Sequence, residues 1–149
     1  METKDILKSL REKSSLTQEQ LAERVMVTRQ AVSRWENGET QPNTDTLKLL
    51  SKEFDVSINT LLGSPRRLVC QCCGMPLGED DLISREPDES YNEDYCKWCY
   101  ADGKFVYQSK EALLDYLVEH MPNPDNLENN TRRFQFDSYL SQLKHWKRD

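Results

Sequence analysis

Residues Thr17–Asn37, T-Q-E-Q-L-A-E-R-V-M-V-T-R-Q-A-V-S-R-W-E-N, decide how the rest of the chain is read. Thr17 followed three residues later by Gln20 is a capping box, and Leu16 with Leu21 stands where a hydrophobic staple packs. A helix is therefore predicted to start here and to run to about Val25. The same grammar recurs at once: Thr28 caps a second helix, Val27 and Val32 are its staple, and Gly38 supplies the left-handed residue that ends it. At about 100° per residue, Ala31, Val32 and Trp35 fall on one side of this second helix. Arg29, Gln30, Ser33, Arg34 and Asn37 fall on the other. One face belongs to a core; the other presents hydrogen-bonding groups.

The outer row has the chemistry of base-edge recognition. Arg forks onto guanine O6 and N7, Gln bridges adenine N6 and N7, and Ser and Asn hold phosphate oxygens. Small Ala22 and Ala31 let the two helices approach closely. From Leu16 to Gly38 the residues follow L-T-Q-x-x-L-A…V-(S/T)-R-Q-x-V-S-(R/K)-W-E-x-G, and in this stretch the chain resembles the phage-repressor-like (Xre) helix-turn-helix family. The resemblance implies that Gln18 touches the DNA backbone, that Arg29, Gln30 and Arg34 meet base edges, and that Arg11 pairs with Glu36. The candidate DNA-binding residues are thus Gln18, Thr28, Arg29, Gln30, Ser33, Arg34 and Asn37. Met26 departs from the pattern, since Gly or Asn is common in that turn. A left-handed Met costs roughly 1 kcal/mol, so strain or an altered turn is expected there. The competing reading is a plain solvated helix face, but such a face favours Glu and Lys where this row has Arg and Gln.

Around this core, Ile6, Leu7 and Leu10 give Lys4–Lys13 the period of a helix. Pro42 and Asn43 form a turn and cap, and Leu47, Leu50 and Phe54 line the inner face of a fourth helix. Ser57 caps a short fifth, with Val56 and Leu61 as staple. Five helices ending near Leu62 match the number in the family it resembles. Gly63-Ser64-Pro65-Arg66-Arg67 interrupts the pattern. The expected organisation is a helix-turn-helix domain at 1–63, a linker at 64–68 and a second domain at 69–149.

Charge is uneven across that boundary. Up to Arg67 there are 11 basic and 10 acidic residues; from Leu68 onward there are 9 and 16. The acidic half is a poor DNA ligand. A net charge near +1 is also low for a lone DNA binder, because phosphate neutralisation supplies most non-specific affinity. Two copies, each reading a half-site of a palindromic operator, are expected instead. No apolar run reaches the eighteen or so residues of a membrane span, and M-E-T-K-D is unlike a signal peptide, so a cytoplasmic protein is expected. In that compartment five cysteines point to metal or thiols over disulfides.

Two C-x-x-C pairs, Cys70 with Cys73 and Cys96 with Cys99, have the arrangement of a zinc site, each pair wrapping one edge of a tetrahedron while the chain between returns as a hairpin. Four thiolates leave no open position for water, so Zn2+ is expected to be structural. Neither His120 nor His145 is followed by x-E, which disfavours a zinc deaminase, and both are expected on the surface. Cys72 is either a spare thiol or a substitute for Cys70 or Cys73; the spacing favours Cys70 with Cys73. C-Q-C-C-G-M-P-L (70–77) and Y-C-K-W-C-Y-A-D-G-K-F (95–105), with Leu143-Lys144-His145-Trp146 near the end, resemble a family of small zinc-ribbon domains that follow helix-turn-helix regulators. In that family the residue at Cys72 is usually small and polar.

Between the knuckles, residues 79–94 hold eight acidic side chains and only Arg85 in opposition, an exposed hairpin tip or loop, or a surface for a protein partner. Ser109–Met121 places Leu113, Leu114, Leu117, Val118 and Met121 on one face, and a last helix from about Thr131 to Lys147 carries Phe136, Tyr139, Leu140, Leu143 and Trp146. These helices either pack on each other and the ribbon or form a homodimer contact. The expected fold is mainly α: a five-helix Xre-type bundle, then a small zinc ribbon with β-hairpins and C-terminal helices. The expected function is a sequence-specific DNA-binding transcriptional regulator with a structural zinc. Two alternatives stand beside it: a protein-interaction or antitoxin-like adaptor, and a zinc- or redox-sensing regulator. No paired acid and base or phosphate-cradling Gly-rich loop suggests an enzyme.

Overall fold

In four of the first five helices a side-chain oxygen of the N-cap residue accepts a bond from an otherwise free N–H of the first turn, which fixes where each begins. The computed structural model describes residues 1–147 and divides the chain into two compact units, Met1–Arg67 and one starting at Leu68. In the first unit, α1 is Thr3–Lys13, α2 Gln18–Arg24, α3 Arg29–Asn37, α4 Thr44–Phe54 and α5 Ile58–Leu61. The caps of α2 to α5 are Thr17, Thr28, Asn43 and Ser57, and Thr17 with Gln20 forms the reciprocal capping box. The core is Leu7, Leu21, Val25, Val32, Trp35, Leu50 and Leu61, with Leu16, Val27 and Ala31 packed at its edge.

The helix ends follow one device used repeatedly. After α2, the Val27 amide donates to the Ala22 carbonyl and the Met26 amide to Glu23; after α3, Glu39 donates to Arg34 and Gly38 to Trp35. This is the Schellman pattern, which needs a left-handed residue at the crossing. Gly38 takes it at φ 78°, as predicted from the sequence, and Met26, 76% exposed, takes it at φ 57°. The strain expected at Met26 is therefore present as an unfavourable backbone conformation, with no apolar burial to offset it. Met26→Gly is expected to raise the stability of this unit by about 0.5–1 kcal/mol, the relief of the left-handed conformation exceeding the entropy that glycine adds to the unfolded chain. A lower urea midpoint for Met26→Gly would contradict this.

The second unit opens with a turn at Cys70–Cys73, whose Cys70 amide bonds the Met75 carbonyl and whose Gly74 amide bonds Cys70. Gly74 sits at φ 81°, and a Cβ there would lie 2.2 Å from the Tyr139 ring, so glycine is required twice over. Strand β1 (Ile83–Arg85) pairs antiparallel with β2 (Tyr91–Cys96), with a register irregularity between Ile83 and Ser84. Strands β3 (Tyr100–Ala101) and β4 (Lys104–Phe105) form a tight hairpin through Asp102 and Gly103, both at positive φ. The acidic stretch 79–94 thus forms a 3-10 turn and the β1–β2 hairpin, with Asp94 held by Lys144 at 2.7 Å.

Helices α6 (Lys110–His120) and α7 (Asn129–Leu140) pack against each other, and Leu113, Leu114, Leu117, Leu140 and Leu143 join the cysteines in one core. Three expectations are corrected here. Met121 is 45% exposed, because it has already left the helix with extended backbone ahead of Pro122. The last helix stops at Leu140 and does not reach Lys147, because the amides of Lys144 and His145 are diverted to Gln71 Oε1 (3.1 Å) and the Gln71 carbonyl (3.0 Å). His145 is half-buried among Tyr95, Phe105 and Trp146, and burial depresses its pKa.

Arg132, which the sequence pattern did not single out, is buried and closes the open end of α6, donating to the carbonyls of Val118 and Met121 at 2.7 Å each. It satisfies acceptors that a helix C-terminus leaves free. Among the described residues no helix is long and apolar enough to cross a membrane.

Candidate nucleic-acid interface and metal centre

The α3 surface is set by what lies beneath it. Val32 and Trp35 are buried in the bundle, which turns Arg29, Gln30, Arg34 and Asn37 outward as exposed residues and leaves Ser33 partly covered. Together with Glu39, the acid just past Gly38, these residues line one shallow groove of about 280 Å³. Among the described residues no hydrogen bond or ion pair engages the side chains of Arg29, Gln30 or Arg34. Thr28 is exposed at the start of α3, its hydroxyl accepting from the Ala31 amide, and Gln18 is partly buried in the first turn of α2. All seven residues singled out from the sequence therefore lie on α2, α3 or the cap between them, and five share the groove.

The orientation of α3 is held from behind. Arg11 on α1 donates to Glu36 through Nε (2.9 Å) and Nη2 (2.7 Å), and its Nη1 reaches the Leu16 carbonyl at 2.8 Å. The Glu36 carboxylate raises the Arg11 pKa against the opposing effect of burial. One guanidinium thus links α1, the turn before α2 and the inner side of α3, a geometry in which two parallel N–H···O bonds fix angle as well as distance.

In the second unit the Sγ atoms of Cys70, Cys73, Cys96 and Cys99 lie within 4.8 Å of one another, with Cys73 and Cys96 at 3.8 Å. A tetrahedron with metal–sulfur bonds of about 2.3 Å has edges of about 3.8 Å, so the cluster has the dimensions of a four-thiolate site. The amides of Cys72 and Cys73 point at Cys70 Sγ from 3.4 and 3.5 Å. Hydrogen bonding to Cys73 is the largest influence pulling the Cys70 thiol down, and hydrogen bonding to Cys70 the largest pushing Cys73 and Cys99 up. A divalent cation held by four such sulfurs would let all of them ionise. The chemistry of the donor set fits a soft or borderline ion such as zinc.

Cys72 is buried but stands outside the four-thiol group; hydrogen bonding to its thiol helps push the Cys99 pKa up, and its carbonyl accepts from Trp146 Nε1 at 2.7 Å. This latch from the tail, together with Lys144 and His145 on Gln71, was signalled in the sequence only by the L-K-H-W stretch.

A helix-turn-helix bundle followed by paired cysteine knuckles defines the class of protein. A helix-turn-helix family model matches residues 7–61, and one described as "Putative zinc ribbon domain" matches residues 69–147, more than half of the chain. The chain belongs to this zinc ribbon family and carries a helix-turn-helix domain ahead of it.

The chain is 50% identical over 62 residues to the HTH-type transcriptional activator BcrR of Enterococcus faecalis, covering 42% of this chain and 30% of the relative. It is 34% identical over 62 residues to Antitoxin PezA of Streptococcus pneumoniae, covering 42% and 39%. The match therefore spans well under half the length of either relative. Among solved structures, the P22 c2 repressor in complex with a synthetic operator is 34% identical over 42% of this chain and 94% of that one, with a TM-score of 0.41.

Proposed function

We propose that this protein is a sequence-specific transcriptional regulator that reads double-stranded DNA with α3 and uses a zinc ion, held by Cys70, Cys73, Cys96 and Cys99, to stabilise its second unit. The observation that carries the reading is the exposed row of Arg29, Gln30 and Arg34, untethered among the described residues, on a helix whose opposite face is locked in the core. A B-form major groove admits such a helix, and the row offers two forks suited to guanine and one carboxamide suited to adenine. Gln18, Thr28, Ser33 and Asn37 supply phosphate and positioning contacts around it.

A relative named a transcriptional activator supports this reading. The near-neutral charge of Met1–Arg67 favours two copies on a palindromic operator, with half-sites about one helical turn apart. A cytoplasmic location follows from this role. Four thiolates fill a tetrahedron, which favours a metal that holds structure over one that activates water. We divide the chain into a DNA-reading part at 1–63, a linker at 64–68 and the zinc ribbon with its helices at 69–149.

Selection of bound sequences from a random duplex pool tests the reading. Zinc-loaded protein is expected to enrich one palindromic sequence, and Arg29→Ala or Arg34→Ala to weaken binding to it by about 1–3 kcal/mol each while relaxing preference at the contacted base. Equal affinity of parent and variants for every duplex overturns it. The likeness to an antitoxin favours a second reading, in which the acidic unit engages a protein partner. A stoichiometric protein partner with no DNA footprint selects that alternative.

A further inference from the structure

Resting on the DNA-reading role of α3, we propose that Glu39 is a specificity-determining residue that acts by repulsion: its carboxylate, set among the groove's arginines, disfavours phosphate contacts and so restrains sequence-independent binding. Glu39 is exposed and lines the same groove as Arg29, Gln30, Ser33, Arg34 and Asn37. Its position is fixed by the backbone. Gly38 turns left-handed, and the Glu39 amide folds back to the Arg34 carbonyl at 2.9 Å, which seats the acid at the end of α3 and not out in the following loop.

The placement has no evident stabilising role. The C-terminus of a helix carries partial negative charge, so an acid one step beyond it is disfavoured by the helix it follows. Among the described residues its carboxylate has no ion pair. The only other acid on this turn of the helix, Glu36, is committed to Arg11 on the inner side.

The consequence depends on which DNA the row meets. On a duplex whose base edges accept from Arg29 and Arg34, directed bonds turn the row, Glu39 with it, toward base edges, so the carboxylate opposes fewer phosphates there. On any other duplex, attraction to phosphate is the main term, and one carboxylate against a net charge near +1 removes a large share of it.

Glu39→Gln keeps shape and backbone bonding while deleting the charge. Two probes are used: the duplex that the parent selects from a random pool, and a scrambled duplex of the same length and composition. The variant is expected to bind the scrambled duplex roughly three- to tenfold more tightly, with a steeper salt dependence, and to gain less on the selected duplex, so that the ratio between the two probes falls. The gap is expected to close as salt rises, which a purely structural role would not produce. Thermal stability is expected to be unchanged or slightly higher. An unchanged ratio between the probes overturns the inference. So does a loss confined to the selected duplex, which would make Glu39 a reader of a base amino group. If the parent itself binds both probes alike, the DNA-reading role fails and this inference falls with it; a parent that discriminates alongside an unaltered Glu39→Gln ratio sinks only the latter.

Discussion

Removing the metal is expected to unfold the second unit and leave the first standing. Of the four clustered cysteines, Cys70, Cys96 and Cys99 lie within that unit's only apolar cluster among the described residues, alongside Leu77, Ile83, Tyr95, Leu113, Leu114, Leu117, Leu140 and Leu143, and Cys73 packs against it. Its four strands are short, and the longest has six residues. Metal binding to structural zinc sites contributes about 10–16 kcal/mol in peptides near neutral pH, comparable with or larger than the roughly 5–15 kcal/mol by which a whole domain is stable. Chelation, or Cys99→Ser in the presence of zinc, is therefore expected to abolish amide-exchange protection in residues 69–147. Protection at Leu21, Val32 and Leu50 should persist, because their core contains no cysteine. Lowering the pH is expected to act in the same direction, as protons compete with the metal for thiolates. Full protection of the ribbon after stoichiometric metal removal would falsify the structural role.

Breaking the Arg11–Glu36 pair is the second large effect expected. The Glu36 side chain is 4% exposed and that of Arg11 13%, so neither charge is well solvated once its partner is gone. Loss of one member of a buried pair typically costs about 3–5 kcal/mol, and the Arg11 contact to the Leu16 carbonyl adds to the dislocation. Glu36→Gln is expected to lower the stability of the N-terminal unit by about 3 kcal/mol and to weaken operator binding further through a loosened α3. Replacing both residues by apolar ones of similar size should recover much of the stability without restoring the DNA affinity. A Glu36→Gln protein with the parent's urea midpoint would show that the pair sets only geometry.

The two units differed in how far sequence alone could be read. The N-terminal bundle was legible almost residue by residue, because its elements are fixed by local signals: an oxygen three residues before an amide, an apolar pair across a cap, a left-handed residue at a helix end. Even the anomaly at Met26 could be named in advance, since backbone handedness depends on the residue itself. In the ribbon, the ligand spacing was a local signal and led to the four sulfurs that the structure brings together.

What was missed there depends on partners far along the chain. His145 looked like a surface residue because two of the rings that cover it, Tyr95 and Phe105, lie forty or more positions away. The helix after Asn129 looked longer because helical period persists through Leu143 and Trp146, whereas the amides that would extend it are claimed by Gln71. Arg132 carries no local signal in the sequence, and only the approach of α6 to α7 reveals its acceptors.

The bond from Trp146 to the Cys72 carbonyl spans 74 positions, and with its neighbours on Gln71 it joins the start of the ribbon to its finish. On a ribosome, the helical bundle can form as soon as its sixty or so residues emerge, since its pairings are mostly short-range. The second unit closes later, because the bond that covers the Cys70–Cys73 turn comes from residue 146. Synthesis from the N-terminus therefore completes every residue of the first core before the tail that closes the second has been made.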